Sequence, residues 1–146
     1  MTQTPLRLRI HVDGGSRGNP GPAAAGYVIR DAADEQIVRE AGIYLGEATN
    51  NVAEYRGLVA ALQCAAQLSA GEVSVFSDSE LMVRQMNGQY RVRNQGLRPL
   101  FAQAGDLAGG FERFHIQHVR REKNTRADAL VNLALDRRRD VFDLDE

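Results

Sequence analysis

The chain has 146 residues, three histidines, one cysteine and a formal net charge of −1. Its length predicts a single domain, residues 1–146 with a C-terminal tail from about 137, that buries its core without disulfides. One cysteine excludes a cysteine-based zinc site, and the near-zero charge means that any basic surface for nucleic acid is local. No stretch matches a signal peptide or a membrane span, so we expect a soluble, cytoplasmic protein without membrane contact.

The first predicted elements are three strands joined by short turns. Apolar and polar residues alternate from Leu6 to Asp13, which is the period of a strand with one buried face. Two more strands are predicted over residues 24–30 and 36–45. The short connections favour an antiparallel meander.

Helical and strand-like patterns then alternate along the chain. These elements are a helix over residues 50–69, a strand over 72–78, helices over 79–87 and 97–107, a strand over 113–119 and a helix over 125–138. The order βββαβααβα predicts an α/β protein in which helices pack on a five-stranded mixed sheet. Crossover helices precede strands four and five, so both should lie parallel to strand one.

Four acidic residues fall at the same edge of this predicted sheet. Asp13 and Asp78 end strands one and four, while Glu54 and Asp128 lie near the starts of the helices that follow strands three and five. Each acid also has a simple structural explanation: a turn at Asp13, a capping box of Glu54 with Asn51, an N-cap at Asp78 and a helix-dipole position for Asp128.

These separate explanations do not account for the clustering of the four acids. Neighbouring carboxylates repel one another and raise each other's pKa values unless divalent cations lie between them. An all-oxygen ligand set favours Mg²⁺ or Mn²⁺ over zinc. Two such ions about 3.5 to 4 Å apart form a clamp for in-line attack on a phosphodiester, so the pattern indicates a nuclease.

Four segments carry a resemblance to a known family. "VDGGSRGNPGPAAAGYVI", "TNNVAEYRGLVAAL", "VFSDSELMVRQMNG" and "NTRADALVNLA" closely resemble type 1 ribonuclease H, in the correct order, from about Leu6 to Asp136. The resemblance implies a ribonuclease H-like fold and an endonuclease that hydrolyses the RNA strand of RNA/DNA hybrids, leaving 5'-phosphate and 3'-hydroxyl ends. It also implies two Mg²⁺ or Mn²⁺ ions, with their ligands at Asp13, Glu54, Asp78 and Asp128.

The same resemblance suggests which residues contact the substrate. Backbone groups of the glycine-rich loop would approach the RNA minor groove, polar side chains would contact the hybrid, and arginines would contact the scissile phosphate. These residues are Gly14, Gly15 and Ser16 in the loop, Asn19, Thr49, Asn50 and Asn51 among the polar residues, and Arg120 and Arg121 among the arginines. For Asn50 and Asn51, helix capping is an equally good explanation.

The chain departs from many members of that family at two places. The long basic protrusion shrinks to "GQYRVRNQGLRPL", and no histidine lies between His118 and Asp128. Arg120 and Arg121 are the candidates near the missing histidine, and neither can act as a general base because arginine stays protonated.

Two other functions fit the same residues. One is a non-catalytic module that binds RNA/DNA hybrids, and the other is a nuclease of similar fold that acts on DNA. The glycine-rich loop and "TNN" favour RNA, and the four acids favour catalysis. We expect a monomer with an RNA/DNA hybrid duplex as partner and no obligate protein partner.

Overall fold

A computed structural model describes residues 5–143 of the chain. Its elements are, in order, β1 (Arg7–Ser16), β2 (Gly21–Asp31), β3 (Ile37–Ala48), α1 (Asn50–Gln67), β4 (Glu72–Ser77), α2 (Glu80–Met86), α3 (Arg98–Gly109), β5 (Arg113–His118), α4 (Thr125–Arg137) and β6 (Val141–Phe142). A short 3-10 turn, Arg121–Lys123, precedes α4. The predicted elements are all present, with ends that differ by a few residues.

The strands form one mixed sheet in the order β5-β4-β1-β2-β3-β6. The pairs β1/β2 and β2/β3 are antiparallel, which confirms the predicted meander. The pairs β1/β4 and β4/β5 are parallel, which confirms the direction inferred from the crossover helices. The ends of β1, β4 and β5 therefore point to one edge of the sheet.

The prediction of five strands was wrong, because β6 adds a sixth. It pairs with the edge strand β3, and the Asp143 side chain accepts a hydrogen bond from the Glu40 N–H at 3.0 Å. Two paired residues are too short to give a periodic signal, so the sequence showed only a tail from about 137. Residues 144–146 of that tail lie outside the described part of the chain.

Helices cover both faces of the central strands. Helix α1 packs on β1 and β2 from one side and α3 packs against α1, whereas α4 packs on β2 and β3 from the other side. Leu8, Ile10 and Val12 of β1 are at most 1% exposed in the core below α1, whereas Val28 of β2 lies in the core below α4. Burial on both faces explains why β2 reads as an apolar run without alternation.

Strands β1 and β2 continue through most of the glycine-rich segment. The ladder runs as far as the pair Ser16 and Ala23, so the turn between them is only residues 17–20. The predicted strands, which ended at Asp13 and resumed at residue 24, therefore left too long a loop between them. A side chain at Gly14 would overlap the backbone of Ala53 in α1, so this glycine lets the helix approach the strand.

Within residues 5–143, no helix is both long enough and apolar enough to cross a membrane.

Candidate active site

Three of the four predicted acids meet at the edge of the sheet. One carboxylate oxygen from each of Asp13, Glu54 and Asp78 lies within 4.8 Å of the other two. Because Val12 of β1 pairs in register with Ser77 of β4, the residues that follow them, Asp13 and Asp78, are side by side. The parallel alignment of two neighbouring strands thus brings together acids that are 65 positions apart in sequence.

Glu54 reaches the two aspartates from α1. The N-cap of this helix is Thr49, whose hydroxyl accepts a hydrogen bond from the Val52 N–H at 3.2 Å. The capping box of Asn51 with Glu54 is therefore excluded, and Glu54 lies beyond the first turn. Its Oε2 atom is buried and has no hydrogen-bond partner in the described structure. A buried carboxylate oxygen without a donor is costly unless a cation binds there.

Asp78 does not cap the helix that follows it. Ser79 is the N-cap of α2, and its hydroxyl accepts a hydrogen bond from the Met82 N–H at 3.3 Å. The Asp78 side chain is 14% exposed and is left to face the acid cluster. The alternative explanation of Asp78 as an N-cap is therefore excluded, which leaves the cluster as the reason for an acid at this position.

Asp128 lies beside the other acids in a shared cleft. It is an exposed residue in the first turn of α4, where the helix dipole also favours an acid. Asp13, Glu54, Asp78 and Asp128 all line this cleft, which has a volume of about 360 Å³. The compact cluster holds the first three, and Asp128 is close to it.

The electrostatics of the cluster are those of crowded, buried acids. Burial and the charge of Asp78, with a smaller contribution from Asp128, raise the pKa of Asp13 to about 8. Burial, followed by the charges of Asp13 and Asp78, raises the pKa of Glu54 well above its ordinary value. Without a cation, Asp13 therefore keeps a proton near neutral pH, and burial and crowding disfavour the charged form of Glu54 in the same direction.

The oxygen atoms at this site fit a hard divalent cation. The cluster consists of carboxylates alone, it includes the unpartnered Glu54 Oε2, and it holds no sulfur or imidazole ligand. Carboxylate oxygens with water suit Mg²⁺ and Mn²⁺. Repulsion between the acids contributes to their raised pKa values, and a cation between the acids would offset that repulsion.

One of the two predicted arginines lies in the cleft. Arg121 lines it and approaches Asp78, with 3.8 Å between Nε and Oδ2, although its side chain is 88% exposed. Arg120 is exposed and is not among the residues that line the cleft. An exposed arginine at the rim can turn towards an incoming phosphate.

The turn between β1 and β2 is attached to the start of α1. The backbone N–H and the hydroxyl of Ser16 donate to Asn50 Oδ1, at 2.8 and 3.0 Å, and the Asn50 N–H donates to Asn19 Oδ1 at 3.0 Å. Gly14, Gly15, Ser16 and Asn50 line the cleft beside the acids.

Three other predicted contact residues lie outside the cleft wall. Thr49 caps α1, Asn19 supports Asn50 and Asn51 is exposed. Their roles in substrate binding stay predictions.

Sequence reasoning missed three residues that organise the site. Asn124, only 1% exposed, donates from Nδ2 to the Val12 carbonyl at 2.8 Å and fixes the start of α4 beside β1. Arg17 and Asn132 line the cleft and contact each other. The available signal was the spacing of Asn132, four positions after Asp128 on the same helix face.

Comparison with known families places this geometry among related proteins. A family model described as "Reverse transcriptase-like" matches residues 11–134. The bifunctional protein Rv2228c of Mycobacterium tuberculosis is 47% identical over 131 residues, which is 90% of this chain and 36% of that protein. The chain thus spans about a third of the length of this relative.

The chain is also similar to solved structures of ribonuclease H. The N-terminal RNase H domain of Rv2228c, solved as a fusion with maltose binding protein, is 46% identical with a TM-score of 0.88, covering 90% of this chain and 95% of that one. RNase H1 of Halobacterium salinarum is 44% identical with a TM-score of 0.86, covering 90% and 98%. LC11-RNase H1, solved in complex with an RNA/DNA hybrid, is 43% identical with a TM-score of 0.84, also covering 90% and 98%.

Proposed function

This chain belongs to the reverse transcriptase-like family that includes type 1 ribonuclease H, and from that premise we propose that it is an endonuclease hydrolysing the RNA strand of RNA/DNA hybrids. We also propose that it works with two divalent cations, Mg²⁺ or Mn²⁺, and leaves 5'-phosphate and 3'-hydroxyl ends. The single observation that carries the proposal is the cluster of Asp13, Glu54 and Asp78 in a cleft that Asp128 also lines.

The four acids divide into two ligand sets that share one member. Asp13, Glu54 and Asp78 would hold one ion, because their oxygens lie within 4.8 Å of one another. Asp13 and Asp128 would hold the second, because Asp128 contributes to the raised pKa of Asp13 and is therefore close to it. When bound, a pair of such ions activates water and stabilises the charge on the attacking and leaving oxygens.

The residues of the chain position the substrate for this chemistry. The backbone of Gly15 and Ser16 lies at the cleft, close enough for main-chain groups to meet 2'-hydroxyls in the minor groove of a hybrid. Asn50 Oδ1 is already occupied by Ser16, so we assign its Nδ2 donor to the sugar or base edge. Arg121, exposed at the rim, is assigned to a phosphate near the acids.

Proton transfer in this site uses no histidine. No histidine lies between His118 and Asp128, and His118 itself is exposed at the end of β5. Arg121 stays protonated and therefore cannot accept the proton of the attacking water. The site carboxylates, the substrate phosphate and solvent are the remaining acceptors.

A binding module without catalysis is the first competing function. Hybrid binding alone would gain nothing from burying three acids together, because their repulsion opposes the approach of phosphates. The unpartnered Glu54 Oε2 fits a cation ligand and has no evident role in hybrid contact. A nuclease that acts on DNA is the second competing function, and the choice of substrate separates it from the proposed activity.

The test measures cleavage of an end-labelled RNA/DNA hybrid alongside matched RNA/RNA and DNA/DNA duplexes. We expect cutting of the RNA strand of the hybrid only, in Mg²⁺ or Mn²⁺ and not in EDTA. Asp13→Asn and Asp78→Asn should each lower the rate by at least about 100-fold, because each removes charge from the ligand set. End analysis should show 5'-phosphate and 3'-hydroxyl groups.

Asp106→Asn provides the matched control. Asp106 is an exposed acid on α3, outside the cleft, so its loss should leave the rate unchanged. Intact hybrid binding without cleavage would overturn the enzyme assignment in favour of a binding module. Cutting of DNA/DNA would overturn the substrate assignment.

A further inference from the structure

A chain of polar side chains joins the turn between β1 and β2 to helix α4. Arg17 Nη2 donates to Asp136 Oδ1 at 2.7 Å and to Asn132 Oδ1 at 3.5 Å. Asn132 Nδ2 then donates to the Asp128 carbonyl at 3.1 Å and to its carboxylate Oδ2 at 3.4 Å. The chain of contacts therefore runs from the turn to one of the four acids.

The spacing on α4 makes this arrangement regular. Asp128, Asn132 and Asp136 are four residues apart, so they share one face of the helix. Arg17, Asn132 and Asp128 all line the cleft. The arginine is thus in the site and not on a remote surface.

We propose that Asn132, oriented by Arg17, is a positioning residue that holds the Asp128 carboxylate ready for a divalent cation; this inference rests on the proposed function. An exposed carboxylate has rotational freedom that must be lost when it binds an ion, and an amide donor restricts that freedom beforehand. Asp128 is exposed, whereas Asp13 is only 6% exposed and needs no such support.

The direction of the Asn132 amide follows from the chemistry of its neighbours. Arginine has donors only, so the Asn132 group that faces Arg17 must be the oxygen. The NH₂ group is then turned towards Asp128, where it can only donate. Among these four contacts, the one between Asp136 and the Arg17 guanidinium is the shortest. Asp136 therefore orients Arg17, and Arg17 in turn orients the Asn132 amide.

The same turn is attached to the other helix of the site. Ser16 and Asn19 bond to Asn50 at the start of α1, the helix that carries Glu54. Arg17 bonds to α4, which carries Asp128. The turn is therefore bonded to both helices that carry acids of the site, α1 with Glu54 and α4 with Asp128.

A different result is expected if Arg17 and Asn132 only stabilise the fold. Both partners of the Arg17–Asp136 pair are at least half exposed, and such pairs contribute about 0 to 1 kcal/mol to stability. If that were the whole role, loss of Asn132 would change the unfolding midpoint slightly and leave cation binding intact.

The experiment measures Mn²⁺ binding to the substrate-free protein by the EPR signal of the free ion. We expect two ions on the wild type, of which Asn132→Ala weakens one by about 10-fold and leaves the other unchanged. Arg17→Met should weaken the same ion by a smaller factor. The double variant should be no worse than Asn132→Ala, since both act through one chain of contacts.

Kinetics on the hybrid provide a second readout. Asn132→Ala should lower kcat and raise the Mg²⁺ concentration at half-maximal rate, with little change in KM for the hybrid. Arg137→Met is the control for Arg17→Met, because it removes one exposed cation at the end of α4 outside the cleft. Urea unfolding of every variant establishes that the fold is intact.

The outcomes separate the two proposals. Mn²⁺ binding by Asn132→Ala within about twofold of the wild type at every site would overturn the positioning role, while wild-type cleavage would leave the proposed function standing. A wild type that neither binds Mn²⁺ nor cleaves the hybrid would overturn both.

Discussion

Asp13 is an acid in a position that disfavours its charged form. It is buried, it adjoins two other acids, and its ordinary charged form is disfavoured in the metal-free protein. Proteins tolerate such a residue when a ligand compensates for the cost. A cation between the acids is the ligand that the local chemistry supports.

The pKa of Asp13 predicts how stability depends on pH. In the folded, metal-free protein this group holds its proton up to a pH of about 8, whereas in the unfolded chain it ionises near pH 4. Between those values the folded state binds more protons, so the free energy of unfolding falls as pH rises. Asp13→Asn should reduce that fall and raise the free energy of unfolding near pH 8 by about 1 to 3 kcal/mol.

Urea unfolding in EDTA across that pH range measures the effect. Asp106→Asn, an exposed acid outside the cluster, should leave the pH profile as in the wild type. A variant Asp13→Asn with the wild-type slope would contradict the buried, crowded state of this acid.

A second prediction concerns the buried acid of β3 that pairs with an arginine of α4. Glu40 of β3 is 3% exposed and accepts two hydrogen bonds from Arg126, both at 2.8 Å. Arg126→Met should destabilise the protein by about 2 kcal/mol, because it leaves a buried charge without this partner. Glu40→Gln combined with Arg126→Met should recover part of the loss, as measured by urea unfolding; a double variant as unstable as the single one would contradict this account.

At the scale of the elements, glycines set how closely α4 approaches the sheet. A side chain at Gly26 of β2 would come within 2.7 Å of the Ala127 carbonyl oxygen, and one at Gly42 of β3 would overlap the Leu130 carbonyl. Since α4 carries Asp128, this close packing also sets the width of the cleft. Gly26 and Gly42 therefore affect the position of α4 at the cleft although neither lines it.

Gly26→Ala should therefore destabilise the protein and slow cleavage. We expect about 1 to 3 kcal/mol of destabilisation, since the added methyl group forces α4 away from β2. The control is Gly105→Ala on α3, where nothing lies within 4 Å of the new group. That exposed helical substitution should stabilise by about 0.4 to 1 kcal/mol. Thermal unfolding and hybrid cleavage of both variants decide the point, and a neutral Gly26→Ala would contradict the close approach.

For the molecule as a whole, folding and cation binding are linked. The sheet edge that gathers the acids exists only in the folded state, so a cation bound there stabilises that state by mass action. Without a cation, burial and crowding disfavour the charged forms of Asp13 and Glu54. We therefore expect the metal-free protein to be the less stable form.

Mg²⁺ or Mn²⁺ should raise the melting temperature of the wild type. At a free concentration about 100 times Kd the gain is about 2.7 kcal/mol, or roughly 5 to 10 °C for a domain of this size. Asp78→Asn should lose most of this increase, and Asp106→Asn should retain it. A wild type that melts at the same temperature in Mg²⁺, Mn²⁺ and EDTA would contradict the link, as differential scanning fluorimetry can establish.

The sequence alone determined the strand directions and the shared edge. Period-two alternation identified β1, and helical crossovers fixed the parallel pairs, because a crossover returns the chain in the same direction. It also predicted that Asp78 lies near Asp13, and the in-register pairing of Val12 with Ser77 places the two side by side.

The competing explanations of each acid are distinguished by the fold and not by local patterns. Local patterns are read within a few residues, so Asn51 and Asp78 both resembled caps until Thr49 and Ser79 were found in those positions. The sixth strand depended on an edge of β3 that a two-residue segment cannot signal.

The contacts across the cleft were equally beyond the sequence. Arg17 lies 115 residues before Asn132, and Asn124 lies 112 residues after Val12. Contacts at such separations form because the whole sheet positions α4 against β1, and no local propensity encodes them. The sequence thus specified the acids and the edge that gathers them, while packing decided what surrounds and orients each one.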